Sequence, residues 1–494
     1  MRLLALRRYA LLGALGLLLG LAGAMPAVAQ DLPSFEDLSD EVPPPDDPSN
    51  PARPPDIDIP AEEREAGEDE DGEPPPPDMD SLGFIDRFRA YNKSIIPVPE
   101  IIVDPNEGNT FGLLGVWLFV NPETDKIEYM VAPDIRYNET KGIYPNMRLF
   151  GYPNDDLWYS LLVGKSTTRD ENYELLFQDW GLWDKKAFVL GEVVYERDST
   201  RRFYGYGNDT TVIYESNYTD SNFQANIEAG IWLVEHLRAS YTSMVRRFAV
   251  QAGQVDDVDS ILPKFGQDRF SIEPGVRFPF GNQLNCPRGA TKFSDCQGAG
   301  PQIHWGNRFS VFYDTRDDNQ LPTEGVLTTA YFEFADRNLG STTSYLKWGL
   351  EGRGYFPFHL WRLRPVLALR AGLDYVNAGG DTPFWQRNAL GGRRSLRGYG
   401  TGRFTDFNRS VMTAELRTTV YERDMFDTHL EIELAPFLEA GQVFAQLSDS
   451  PFDELHPAGG MGFRGVVRPN IVGFVDLGYA DEGLKVFTGI NYPF

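Results

Sequence analysis

From about Phe111 to Phe494 the chain runs as a series of short segments in which apolar and polar residues alternate, and this period of two limits the fold more than any other feature. In 364–375, Leu367, Leu369, Ala371, Leu373 and Tyr375 share one face, while Ala368, Arg370, Gly372 and Asp374 share the other. That is the pattern of a strand with one apolar and one polar side. In 410–421, Met412, Ala414, Leu416, Thr418 and Val420 oppose Thr413, Glu415, Arg417 and Thr419 in the same way. A water-soluble sandwich also alternates, so the two ends of the chain carry the distinction.

At the N-terminus Arg2, Arg7 and Arg8 precede an apolar run from Ala10 to Ala24, and Ala27-Val28-Ala29 closes it with the small-x-small pattern of a signal peptidase site. Residues 1–29 are expected to be a secretory signal peptide. Beyond them no run approaches ~18 apolar residues without a charge, which argues against a helical membrane span. An exported chain with 48 glycines and 13% aromatic residues fits an all-β fold, a transmembrane antiparallel β-barrel. Its polar-inward, apolar-outward strands would leave mean hydropathy near that of a soluble protein, here −0.36. The last residues, Gly489-Ile490-Asn491-Tyr492-Pro493-Phe494, resemble the C-terminal signal by which bacterial outer-membrane barrels are recognised for insertion. Gly489, Tyr492 and Phe494 carry that likeness; Phe487 stands where a polar residue is usual.

The net charge of −26 is unevenly placed: residues 31–80 hold 19 Asp and Glu against Arg53 and Arg64. With Pro43-Pro44-Pro45 and Pro74-Pro75-Pro76-Pro77, residues 30–80 cannot bury enough apolar surface to order themselves and are expected to form a disordered periplasmic segment. Residues 81–96 read as a short linker or amphipathic helix, with either a plug or membrane-surface role or none beyond leading into the barrel, which is assigned 97–494. About sixteen strands are favoured and about eighteen remain open, an even number either way; the candidates begin at 111–120 and include 269–279. No basic stripe with interleaved aromatics points to nucleic acid. Cys286 and Cys296, in a polar stretch of an exported chain, read as one loop disulfide. The histidines, His236, His304, His359, His429 and His456, are scattered without ligand spacing, so no metal or other cofactor is expected.

Four segments resemble motifs of the BamA/TamA-type outer-membrane barrels, the bacterial surface antigen family, which includes the secretion pores of two-partner systems. Ser395-Leu396-Arg397-Gly398-Tyr399 is similar to the signature at the tip of the family's long sixth extracellular loop, with Leu for Val. Phe437-Leu438-Glu439-Ala440-Gly441 resembles its FxDxG strand motif, with Glu for Asp. Tyr313-Asp314-Thr315-Arg316-Asp317 resembles its strand-end segment, and Phe203-Tyr204-Gly205-Tyr206-Gly207-Asn208 a turn common among members. The resemblance implies that the loop arginine meets inward carboxylates. Alternation supplies two of them independently: Glu439 lies opposite Leu438 and Ala440, and Glu415 opposite Ala414 and Leu416. Arg397, Gly398, Tyr399, Glu415 and Glu439 are therefore expected to anchor the loop in the lumen, because a guanidinium can serve two acids at once. Family members of known role usually carry periplasmic POTRA domains; residues 30–96 leave no room for a folded one, so a short member without them is expected.

The functional expectation is an outer-membrane insertion or translocation factor, in contact with the lipid bilayer, with unfolded outer-membrane or secreted proteins as clients, and with the barrel-insertion machinery through its C-terminal strand. A plugged passive pore or structural barrel is the alternative. A lipid hydrolase is weaker, because Gly-x-Ser-x-Gly is absent and no Ser/His/Asp spacing is suggestive; the chain is not expected to be an enzyme.

Overall fold

Alternating strands with one apolar side turn that side outward in lipid, and this chain builds such a wall by pairing its strands in sequence order. The computed structural model describes Met79 and residues 83–490, except 262–301 and positions 123, 125, 257, 319–320, 362, 379–381, 383, 426–427 and 468–470. A short helix, α1 (Phe84–Ala90), leads into β1 (Asn92–Asp104), β2 (Gly108–Val120), β3 (Ile127–Asn138), β4 (Gly142–Asn154), β5 (Leu157–Lys165), β6 (Glu171–Leu182), β7 (Ala187–Phe203), β8 (Ser216–Val234), β9 (Leu237–Ala252) and β10 (Gln302–Asp314). There follow β11 (Gly325–Ala335), β12 (Tyr345–Pro357), β13 (Val366–Ala378), β14 (Asn388–Leu390), β15 (Phe404–Asp406), β16 (Asn408–Met425), β17 (Thr428–Phe444), β18 (His456–Val467), β19 (Ile471–Ala480) and β20 (Gly483–Ile490). β14 and β15 form a separate two-stranded ribbon; the other strands make one 18-stranded antiparallel sheet, with β13 paired directly to β16.

Among the described residues the main sheet holds eighteen strands, the larger of the two expected counts. β1 starts inside the stretch 81–96 and was not among the strand candidates, because Pro97 and Pro99 obscure its pattern. The candidate 269–279 lies outside the described residues, as do the proposed signal peptide, nearly all of the acidic segment, Cys286, Cys296, Tyr492 and Phe494.

The two faces sort by parity. On β17, Leu438 is 71% exposed while its neighbours Phe437 and Glu439 are buried, as are Glu431 and Glu433 on the same side. Phe111 and Leu113 on β2, Ile135 and Tyr137 on β3, and Phe309 and Val311 on β10 are likewise exposed on the outward face. No helix among the described residues is long and apolar enough to cross a membrane. Connections are mostly short at the end where α1 enters and β20 finishes. The opposite end carries the long ones, 204–215, 253–301, 379–407 and 445–455. α1 lacks a side-chain N-cap and is instead fastened to the sheet. Tyr91, Arg87 (3.2 Å) and Asn121 (2.6 Å) all donate to Glu128, while Met79 and Tyr91 are buried against Phe119, Trp117 and Val131.

Candidate functional site

Residues 384–407 do not stand clear of the barrel; they fold back into the lumen and pack along β16–β19. Glycine makes the descent possible. Gly391 and Gly392 adopt φ of 110° and 99°, a left-handed backbone that side chains resist. A Cβ on Gly398 would lie 2.7 Å from the Ala480 Cβ and 2.9 Å from that of Ala458, so only glycine lets the tip reach the wall. Leu390, Leu396, Tyr399 and Phe404 of the connection form a buried cluster with Val411, Val443, Ala458 and Ala480 of the strands.

At the tip, the fully buried Arg397 side chain meets three carboxylates. Its Nη1 lies 2.7 Å from Glu415 Oε2 and 3.1 Å from Asp476 Oδ2, and its Nε lies 2.8 Å from Glu439 Oε1. The Arg397 backbone N–H also donates to Glu439 Oε2 (2.7 Å), and the guanidinium carbon sits 3.5 Å from the centre of the Phe437 ring. Two further arginines balance the charge. Arg464 pairs with Asp476 (2.5 Å) and Glu415 (3.3 Å), and Arg417 with Glu415 (3.0 Å). The cluster thus contains three cations and three anions, all buried, the condition under which unscreened charges are tolerable in a confined interior. Burial works against the charge on Arg397, but Glu439, Glu415 and Asp476 outweigh it and raise its pKa above the usual arginine value.

Arg397, Gly398, Tyr399, Glu415 and Glu439 are accordingly brought together, with Phe437 beneath the guanidinium. Gly441 contributes through its missing side chain, since a Cβ there would meet Ser410 O at 2.7 Å and Leu390 Cδ2 at 3.1 Å. Three residues of the cluster were not among the expected loop anchors: Arg417, which alternation placed on the polar face of its strand, and Asp476 and Arg464, which the sequence reading did not single out. Their signal was the same alternation: each is the charged residue on the polar face of a strand whose other face is apolar.

Higher in the lumen, the turn Phe203–Asn208 meets the same connection. Arg387 lies between the rings of Tyr206 (3.7 Å) and Phe407 (3.8 Å), Trp385 stacks on Phe248 (4.3 Å between centroids), and Asn208 Oδ1 accepts from the Val443 N–H (3.1 Å). The Tyr313–Asp317 segment lies at the other end of the barrel. Arg316 there donates to both oxygens of Asp314 (3.0 and 2.9 Å), and Asp317 accepts from the backbone of Thr323 and Glu324 (2.9 Å each). Gly489, near the end of β20, faces the lumen, with Arg393 Nη1 2.9 Å from where its Cβ would be.

Comparison with known proteins follows this geometry. A family model described as the Omp85 superfamily domain matches residues 160–464. Among solved structures the chain is similar to BamA from Haemophilus ducreyi lacking POTRA domains 1–3, at 14% identity over 80% of this chain and 74% of that one, with a TM-score of 0.48. It is also similar to CdiB from Acinetobacter baumannii (11% identity, 81% of this chain, 59% of that one, TM-score 0.38) and CdiB from Escherichia coli (10%, 81%, 61%, 0.42). No curated protein shows a significant sequence match. The family match covers more than half of the chain and includes the lumen loop and the strands that supply Glu415, Glu439 and Arg464, and on that ground this outer-membrane barrel belongs to the Omp85 superfamily.

Proposed function

We propose that the barrel acts on polypeptide, helping to insert or translocate protein at the outer membrane, with the seam between β1 and β20 as its working part and the Arg397 loop as a fixed element of its lumen. Family membership supplies the class of function. The observation that carries the reading for this chain is how its first strand meets its last. The Val103 N–H donates to the Thr488 hydroxyl (2.8 Å), which in turn donates to the Ile101 carbonyl (2.8 Å). Backbone groups of odd-numbered β1 residues thus face β20, and by the same alternation positions 97 and 99 face it too. Both are proline, with no N–H to give. Among the described residues no backbone ladder joins β1 to β20. Among the described residues one hydroxyl bridges this edge, and an edge so lightly held is a place where a further strand can pair.

In this reading the short-turn end faces the periplasm, residues 30–80 are a periplasmic docking arm, and Gly489, Tyr492 and Phe494 present the chain to the barrel-insertion machinery. The test is reconstitution of the full chain in phospholipid vesicles, followed by addition of a urea-unfolded outer-membrane barrel. Faster folding of that client than in empty vesicles supports the proposal; equal rates count against it. Cross-linking pull-downs with and without residues 31–80 test the arm.

A plugged pore is the second reading, favoured by a cavity of about 740 Å³ between the loop and the facing wall, lined by Arg246, Lys347, Arg394, Glu107 and Asp198 among others. Steady conductance in planar bilayers without any effect on client folding would support it.

A further inference from the structure

Among the described residues, all four non-glycine residues with positive φ lie in two turns at the short-turn end. Trp183 (51°), Asp184 (55°) and Lys185 (63°) connect β6 to β7, and Trp361 (57°) lies between β12 and β13. Such backbone is uncommon for any side chain and rarer for a bulky one. Both turns expose a tryptophan, Trp183 at 76% and Trp361 at 91%.

The second turn belongs to a hairpin that runs on past the sheet. The Phe358 N–H donates to Pro365 O (3.0 Å), and Leu360 and Leu363 exchange backbone hydrogen bonds (3.1 and 3.0 Å). Trp348, Leu350, Phe356, Phe358 and Leu360 alternate along its outward face and are all exposed, with only Gly352 and Gly354 between Leu350 and Phe356 on that side. The inward face carries the buried Tyr355 and then His359. From Leu346 to Leu360, a strand rising ~3.3 Å per residue at about 40° tilt covers roughly 35 Å of the membrane normal. The apolar band of an outer-membrane barrel is only about 25 Å tall. The tip therefore reaches past the hydrocarbon into the headgroup layer, where the amphipathic indole ring is at home. Leu233 and Val234, at the end of β8, are exposed at the same rim, and Arg364 and Lys186 are exposed beside the two tips.

We propose that the β12–β13 hairpin and the β6–β7 turn are phospholipid-headgroup contacts, with Trp361 and Trp183 seated in the leaflet at the short-turn end and fixing the depth of the barrel in the bilayer. Phospholipid is the occupant because the outward face of the hairpin continues the lipid-facing band without a polar break. The proposal rests on the membrane-spanning barrel and not on any client activity, so the two readings fail independently.

The full chain is folded into vesicles of phosphatidylethanolamine and phosphatidylglycerol, and its tryptophan emission is compared with that of Trp361→Phe and of Trp183→Phe, each difference reporting one of the nine tryptophans. Migration that changes on boiling establishes that each variant is folded. Each difference signal should be quenched by phospholipid brominated near the glycerol and protected from acrylamide. A difference signal that acrylamide quenches as fully in vesicles as in the urea-unfolded chain, with no response to brominated lipid, overturns the proposal and marks the tips as a surface for a soluble partner.

Discussion

The carbonyl oxygen of Arg397 occupies the space that a Cβ on Gly478 would need, so the loop backbone rests directly on the β19 wall. Gly478→Ala changes no charge, yet it should push the tip off its seat, an overpacking effect of about 1–3 kcal/mol. Limited proteolysis should then cut between Arg387 and Arg403 sooner than in the native barrel, while the strands stay protected.

Arg397→Ala removes one cation from a buried cluster of three arginines and three carboxylates. Breaking such a pair leaves an uncompensated charge at a cost of about 3–5 kcal/mol. The loop should leave the lumen, raising both protease sensitivity and planar-bilayer conductance. Arg397→Lys should restore only part of the native behaviour, because an ammonium cannot reproduce the planar fork that serves Glu439 through Nε and Glu415 through Nη1.

Coupling within the cluster is open to a direct check. Glu439→Gln combined with Arg397→Met removes one charge of each sign, and in thermal unfolding the double variant should be less destabilised than the sum of the single variants, by about 0.5–3 kcal/mol. Strict additivity would mean that the two side chains do not act as a pair.

Thr488→Val keeps the shape of the side chain and deletes the hydroxyl that joins β20 to β1. Each lost hydrogen bond is worth about 0.5–1.5 kcal/mol. Amide hydrogen exchange should therefore rise in β1 and β20, and remain as it was in β7–β9, which pair by long backbone ladders.

Alternation made much of this legible before any coordinates. It turned Glu415 and Glu439 inward, and the glycines flanking Arg397 pointed to a loop able to approach them. It failed where local chemistry masks the period: Pro97 and Pro99 hide β1, although they are the residues that leave its edge short of donors. Asp476 and Arg464 were visible as inward charges, but nothing local indicates that β18 and β19 pass within reach of a loop tip more than sixty residues earlier. That proximity arises because β16 to β19 are successive neighbours in one sheet and the loop folds back against them. The strained turns at Trp183 and Trp361 were silent too, since neither contains the glycine or asparagine that usually signals left-handed backbone.

Action on a client polypeptide by this route requires the seam between β1 and β20 to open. A cysteine pair at Val103 and Thr488, whose backbone and side chain already meet at 2.8 Å, would lock β1 to β20 through an oxidisable bond. In vesicles, the oxidised variant should lose its acceleration of client folding and recover it on reduction, with the Arg397 loop equally protease-resistant in both states. Full acceleration by the oxidised, cross-linked barrel would contradict the account.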